Sequence, residues 1–270
     1  LRRVIMVFVL HALVFTLAAE SSGCRLLLVR HGETNYNADG RIQGRLESEL
    51  TSKGLSQATG VGTWLSANYP RGKGLDRIYV SPRKRTRQTL EQIKAVVSLP
   101  GKIEVRPGLR EIELIQWEGQ DRKDLRDSSG SPDSERWARW KARPANFVFE
   151  EDGHSPLGDL KRRAAKEWIA IVSASPPEGM SLVIAHGAFN RVFLLTALGI
   201  PVDDHTFRDE SSHFAFENCE TVELKWDLGA AHASAWRRRY PSESEWITRE
   251  EEYERVHLER GEQGEAKIEL

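Results

Sequence analysis

Leu26-Leu27-Leu28-Val29-Arg30-His31-Gly32-Glu33-Thr34 is the stretch on which the reading of this 270-residue chain turns. Four consecutive apolar residues suit a strand covered on both faces, because alternate side chains point into opposite layers. The run stops at a cation, an imidazole and a glycine. Open α/β sheets place their ligands just beyond the carboxyl ends of such strands. Arg30, His31 and the pliable backbone at Gly32 therefore fall where chemistry is done. Taken alone, a histidine at a strand end is an ordinary structural residue. Its weight comes from what recurs downstream.

Leu182-Val183-Ile184-Ala185 is a second apolar run, followed by His186-Gly187 and a helical pattern through Val192, Leu195 and Leu198 that stops at Gly199 and Pro201. The start of that helix sets backbone N–H groups beside the second imidazole, a ready anion site. Ile78-Tyr79-Val80 is a third strand, followed by Ser81-Pro82-Arg83-Lys84-Arg85-Thr86-Arg87-Gln88-Thr89. Cations opening a helix oppose its dipole, so an anion is expected beside them. Arg83 and Arg87 read as solvated. Three strand ends thus converge on one anion, and a phosphoryl group fits it.

The surroundings support an α/β fold. Thr51 can cap a helix carrying Leu55, Ala58, Val61 and Trp64 or Leu65. Leu90, Ile93 and Val97 share a helix face, Lys102–Val105 is a weaker strand, and Val222, Leu224 and Trp226 alternate in a last one. Strands alternating with helices predict a mainly parallel sheet with helices on both faces. One domain is expected over 24–240. Its rhythm breaks at 121–156, where a loop from Asp127 to Pro132 precedes a short helix with Trp137 and Trp140. Such an excursion reads as a lid or specificity element, though the tryptophans could equally be core. Residues 241–270, with ten acidic and four basic residues, read as a peripheral, partly frayed helix.

Charge and cysteine content narrow the classes. The chain has 39 Lys and Arg against 40 Asp and Glu, which removes the simple electrostatic case for nucleic acid or an acidic membrane. Two cysteines, Cys24 and Cys219, make neither a disulfide framework nor a four-ligand zinc site. No His, Asp or Glu cluster has metal-ligand spacing that phosphate motifs leave unexplained. At the start, Arg2 and Arg3 precede an apolar run from Val4 to Ala19 that ends in small residues. A basic start, an apolar stretch and a small-residue exit describe a signal-like leader over 1–23. The run is short of the roughly 20 residues that span a bilayer. Cleavage is expected rather than stable insertion, with an anchor or a buried first helix as the other readings.

The motif set resembles the histidine phosphatase superfamily, which includes the phosphoglycerate mutases. The resemblance rests on Leu28-Val29-Arg30-His31-Gly32-Glu33-Thr34, the turn Ser81…Arg85…Gln88-Thr89, Leu109-Arg110-Glu111-Ile112 and Ile184-Ala185-His186-Gly187, in the family's order. It implies a three-layer α/β/α fold, a phosphoric monoester hydrolase activity, and no metal or other cofactor. It also implies a small phosphorylated substrate. By position, His31 would accept the phosphoryl group. Arg30, Arg85 and His186 would clamp it with help from Asn37, and Glu111 would donate the proton. Gln43-Gly44 would line the pocket and Gly187 would meet the ligand. The chemistry suits those types. In-line transfer needs a neutral imidazole, which flanking guanidinium groups favour by repulsion. The same cations stabilise charge on the transferring group, and an alkoxide leaving group needs an acid.

The segment after Glu111, Ile112-Glu113-Leu114-Ile115, departs from the mutase pattern and favours a phosphatase. Leu114-Ile115 stands where a Phe-Gly is usual, and Glu47 where an Asp is common. Trp140-Lys141-Ala142-Arg143-Pro144-Ala145-Asn146-Phe147, Gly153-His154-Ser155-Pro156 and Ala188 with Asn190 resemble the plastid 2-carboxyarabinitol 1-phosphate phosphatases. That sub-branch implies a sugar-acid phosphate as substrate and a plastid destination for the leader. It leaves secretion as the other destination. Lys141 or Arg143 is then expected to meet a substrate carboxylate. Two alternatives stand beside the phosphatase: a mutase that returns the phosphoryl group to substrate, and a non-catalytic module that binds phosphorylated ligands.

Overall fold

The computed structural model describes residues 23–72, 74–127, 130–208 and 213–259. All but the last residue of the expected leader lies outside them, as do residues 260–270. The elements run β1 (Cys24–Arg30), α1 (Asn35–Ala38), α2 (Ser52–Asn68), β2 (Leu75–Val80), α3 (Lys84–Val96) and β3 (Lys102–Val105). Then come α4 (Arg122–Asp127), α5 (Pro132–Ala142), α6 (Pro156–Ala174), β4 (Met180–Ala185), α7 (Gly187–Leu198) and α8 (Asp204–Arg208). β5 (Thr221–Trp226), β6 (Ala235–Tyr240), β7 (Ile247–Thr248) and α9 (Arg249–Glu259) close the described chain.

β1 is the middle of a seven-stranded sheet ordered β3-β2-β4-β1-β5-β6-β7. Its apolar run is divided by the period-2 alternation of a strand. Leu26 and Leu28 pack with Leu160 and Ala164 of α6 and Val192 and Phe193 of α7. Leu27 and Val29 pack on the other face with Ala58, Val61 and Leu65 of α2 and Leu90 and Ile93 of α3. β4 repeats the division, with Val183 and Ala185 on the first side and Leu182 and Ile184 on the second. All four apolar residues of the β1 run are fully buried, and each contributes about 2 kcal/mol of hydrophobic stabilisation. The α/β/α layering follows directly. Among the described residues, no helix is long and apolar enough to cross a membrane.

The sheet is mixed rather than mainly parallel. β3, β2, β4 and β1 run parallel, whereas β5, β6 and β7 continue from β1 antiparallel. β5 is not the last strand, because its sequel is written in charge. Arg237-Arg238-Arg239 hides β6 from any apolar pattern. Fully buried Glu223 of β5 stands in register opposite Arg237 and pairs with it at 2.9 Å, with Arg239 at 3.2 Å and with Arg25 at 3.6 Å. A carboxylate can be buried only with such partners. Arg237 and Arg239, alternate residues of the strand, therefore share the face that meets Glu223, while Trp236 is buried on the other.

The acidic stretch after Pro241 is more than the peripheral helix expected there. It supplies β7, and α9 buries Val256 and Glu252. The Glu252 carboxylate accepts a hydrogen bond from Trp236 Nε1 at 2.8 Å. α6 also goes beyond the expected elements, with Leu157, Leu160, Ala164, Trp168 and Ile171 on its buried face. Residues 121–127 and 130–156 fold onto the sheet and helices through aromatic edges. Trp117 meets Trp137, Phe147 and Phe149 at ring-centroid separations of 5.1, 5.4 and 4.9 Å.

Candidate active site

Three parallel strands end together. Arg30 of β1 pairs with Ala185 of β4, and Val80 of β2 with Ile184, so His31, Ser81 and His186 leave the sheet at one level. They open on a cleft of about 850 Å³. Arg30, His31, Asn37, Gln43, Gly44, Arg85, Glu111 and Gly187 of the expected site all line it. His186 does not. It stands one layer behind, fully buried, accepting from Arg85 Nε at Nδ1 (3.2 Å) and meeting Ser81 Oγ through Nε2 (2.8 Å).

The tautomer of His31 follows from its neighbour. Its Nδ1 lies 2.7 Å from the Gly32 carbonyl oxygen, which can only accept. Nδ1 therefore carries the proton, and Nε2 keeps its lone pair. Burial, then the Arg85 and Arg30 guanidinium groups, holds this imidazole well below its ordinary pKa. Burial and Arg85 do the same to His186. Arg85 itself is pushed down to about 10, chiefly by burial, and stays cationic at neutral pH. One N–H of its Nη1 donates to the Leu46 carbonyl and one of Nη2 to the Gly44 carbonyl, each at 3.0 Å. Gly44 has a φ of +50°, and a side chain there would run into Glu118. Only glycine fits.

Arg30 donates from Nη1 to the Phe216 carbonyl at 2.6 Å, while its buried Nε has no partner. Asn37 belongs to a capping box with Thr34. Its Oδ1 accepts from the Thr34 N–H at 3.2 Å and from Asn218 Nδ2 at 3.3 Å, so its amide donors are what it can offer a ligand. Gln43 donates to Thr34 Oγ1 at 2.6 Å. Glu111 sits on the first turn of α7, accepting from Phe189 N at 3.1 Å and Ala188 N at 3.3 Å, and from Ile112 N at 2.8 Å. The turn itself is tight. A Cβ on Gly32 would lie 2.5 Å from the Gly54 carbonyl oxygen, and one on Gly54 would strike the Glu33 carbonyl.

The cations that open α3 divide. Arg83 pairs with Glu47 and Lys84 with Glu49, and Glu47 also accepts from the Lys84 N–H. The anions offsetting them are therefore the chain's own, and among the expected cations of this turn only Arg85 lines the cleft. Of the two cations expected to face a substrate carboxylate, Lys141 lines the cleft and Arg143 does not. Trp137 and Trp140 serve as core and as cleft wall at once. Sequence reasoning missed Arg122, Arg191, Arg238 and Asn218, which also line it. Asn218 donates to the His31 carbonyl at 3.0 Å, and nothing local in the sequence marks it.

A neutral imidazole among guanidinium groups, where parallel strands end, makes a candidate anion site on an α/β fold. The profile of the histidine phosphatase superfamily (branch 1) matches residues 26–260, and the chain belongs to that superfamily. It is 36% identical over 177 residues to a probable 2-carboxy-D-arabinitol-1-phosphatase of Arabidopsis thaliana, covering 65% of this chain and 34% of the relative. The corresponding protein of Triticum aestivum is 35% identical over 181 residues, with 65% and 33% covered. The chain thus spans about a third of the length of these plant relatives. A probable phosphoglycerate mutase GpmB of Yersinia enterocolitica is 29% identical, with 78% and 89% covered. Among solved structures, Bacillus stearothermophilus YhfR is 26% identical with a TM-score of 0.65, covering 78% and 95%. Mycobacterial glucosyl-3-phosphoglycerate phosphatase Rv2419c shares the fold at a TM-score of 0.62 and 22% identity, with 80% and 97% covered.

Proposed function

We propose that this chain hydrolyses a small sugar or sugar-acid phosphate through a phosphohistidine on His31. The observation that carries the reading is the tautomer of His31. With Nδ1 bonded to the Gly32 carbonyl, Nε2 is left as an unprotonated nucleophile beside Arg30 and Arg85. In the first step the Nε2 lone pair attacks phosphorus in line, and the ester oxygen leaves with a proton from Glu111. In the second, Glu111 takes a proton from water as that water attacks the phosphohistidine, returning phosphate and free His31. Arg30 and Arg85 hold the charge of the transferring group, with Asn37 and Gln43 beside them and His186 bracing Arg85.

The cleft exceeds what a phosphoryl group needs, and Lys141, Arg122 and Arg191 extend its positive lining. A substrate with a second anionic group, such as a sugar-acid phosphate, matches that lining. 2-Carboxyarabinitol 1-phosphate is the candidate favoured by the plant relatives. A plastid is the matching compartment. The mutase reading is kept by the GpmB relatives, whose length the chain covers almost entirely.

The test is phosphate release from a panel of sugar and sugar-acid phosphates, with and without 2,3-bisphosphoglycerate, with acid-labile phosphoenzyme trapped by rapid quench. Steady phosphate release and a phosphoenzyme lost in His31→Ala are expected. Isomerised phosphate ester in place of free phosphate would make it a mutase, and ligand binding without turnover a binding module.

A further inference from the structure

Glu111 lies between two 3-10 turns, Pro107–Leu109 and Ile115–Trp117, in a segment that belongs to no strand or helix. A proton donor must nevertheless hold its position closely, since small displacements are costly in rate. Its carboxylate rests on the first turn of α7, and His154 Nε2 meets the Glu113 carbonyl at 2.9 Å, but neither contact holds the backbone from Gly108 to Glu111. The anchor comes from α6. Arg163 reaches across and donates from Nη1 to the carbonyls of Gly108 (3.0 Å) and Arg110 (2.6 Å), and from Nη2 to the carbonyl of Glu111 itself (3.1 Å).

Arg163 is in turn oriented within its helix. Asp159, one turn earlier, accepts from Arg163 Nε at 2.8 Å, so the ion pair is complete and the remaining donors are aimed at the loop. One turn later, Glu167 accepts from Arg106 Nε at 2.5 Å, at the loop's other end. Asp159, Arg163 and Glu167 recur every four residues and so share one helix face. That face holds the acid-bearing loop from its start at Arg106 to the acid itself. Three carbonyls and the Asp159 carboxylate take four N–H donors, one more than a lysine ammonium has.

We propose that Arg163, oriented by Asp159, is a positioning residue for the proton donor, acting on the leaving-group step through Glu111. The proposal rests on the reading of Glu111 as the acid. A residue that only stabilises the fold would change turnover of every ester alike. One that positions the acid matters where the leaving oxygen needs a proton. An alkyl phosphate leaves as an alkoxide and depends on the acid, whereas p-nitrophenyl phosphate leaves as a stable phenolate.

The experiment compares kcat/KM for p-nitrophenyl phosphate with that for the best alkyl phosphate of the substrate panel, because kcat/KM reports the steps up to leaving-group departure. Arg163→Met is expected to lower the alkyl value about tenfold or more and the aryl value by less than about threefold, with Arg163→Lys in between. Glu111→Gln should show the same selectivity more strongly. Adding Arg163→Met to Glu111→Gln should lower the alkyl value no further, since the two act as one unit. Equal losses on both esters, or additive losses in the double variant, would overturn the proposal. Should Arg163→Met fail to fold, Asp159→Asn, which loosens the same guanidinium, is read by the same criteria. A Glu111→Gln enzyme with parental alkyl activity would sink the assignment of the acid instead, as would a parent that hydrolyses neither ester.

Discussion

His31 and His186 are held neutral by burial and by the cations around them, and this has a direction in pH. Their folded pKa values lie below the unfolded value of about 6.5. As the pH falls through 6.5, the unfolded chain takes up protons that the folded chain refuses. The stability these residues contribute is thus whole above about pH 6.5 and is lost on the way down to their folded values. The activity of the free enzyme should follow the same order. On an aryl phosphate, whose departure needs no proton from Glu111, kcat/KM is expected to stay level across pH 6.5, with the acid limb well below it. A limb centred near 6.5, in profiles on an aryl phosphate, would show an ordinary solvated imidazole in place of the one described. At this scale the sequence was highly legible. His31, Arg30, Arg85 and Glu111 could be named because each sits at a fixed offset from an apolar run or within a motif. Arg163 and Asn218 could not, since they act on carbonyls brought near only by the fold.

Elements were legible where burial is apolar and obscure where it is ionic. β1 and β4 announce themselves as unbroken apolar runs. β6 does not, because three of its six residues are arginines and two of these are matched to one buried glutamate. Its pairing with β5 also carries the chain into β7 and α9, so an acidic composition misrepresented a packed region. The inserted helix α5 was legible in part, since its tryptophans were found without their double duty as core and wall. Its charge makes a prediction. Lys141 lines the cleft and Arg143 does not. Lys141→Met should therefore raise KM about tenfold for carboxylated sugar phosphates and leave neutral ones nearly unchanged, as expected for losing a charged hydrogen bond. Arg143→Met should do neither. Equal effects of the two substitutions would mean that the segment only packs.

For the whole molecule, charge is unevenly spent. The chain is close to neutral, with a formal net charge of −1. The cleft gathers cations from β1, α2, α3, α4, α5, α7 and β6 and from the loop at Arg41, while Glu111, Glu217 and Glu220 are the only acids among its described lining. On the proposed function, the positive field met by a phosphoryl group would come from these guanidinium and ammonium groups, which the fold fixes in place. Among the described residues, no group of three or more His, Cys, Asp and Glu side chains is placed to hold a metal ion. With the charge supplied by the cations of the cleft, phosphate release is expected to survive EDTA, and vanadate, which mimics the five-coordinate phosphoryl group, should inhibit. Activity lost in EDTA and restored by magnesium would contradict this account of where the charge comes from.

The contact between Gly32 and Gly54 sets a limit on how portable this site is. Two backbones touch there without side chains between them, one from the turn after β1 and one from the first turn of α2, with the Thr51 N–H donating to the Glu33 carbonyl at 2.9 Å. The loop that presents His31 is therefore shaped by a helix beginning some twenty residues later, as a key is shaped by its lock. Grafting the Arg-His-Gly-Glu-Thr string onto another parallel sheet would transfer the letters and leave the mould behind. A working graft would have to carry the chain from β1 through α2 as a single piece.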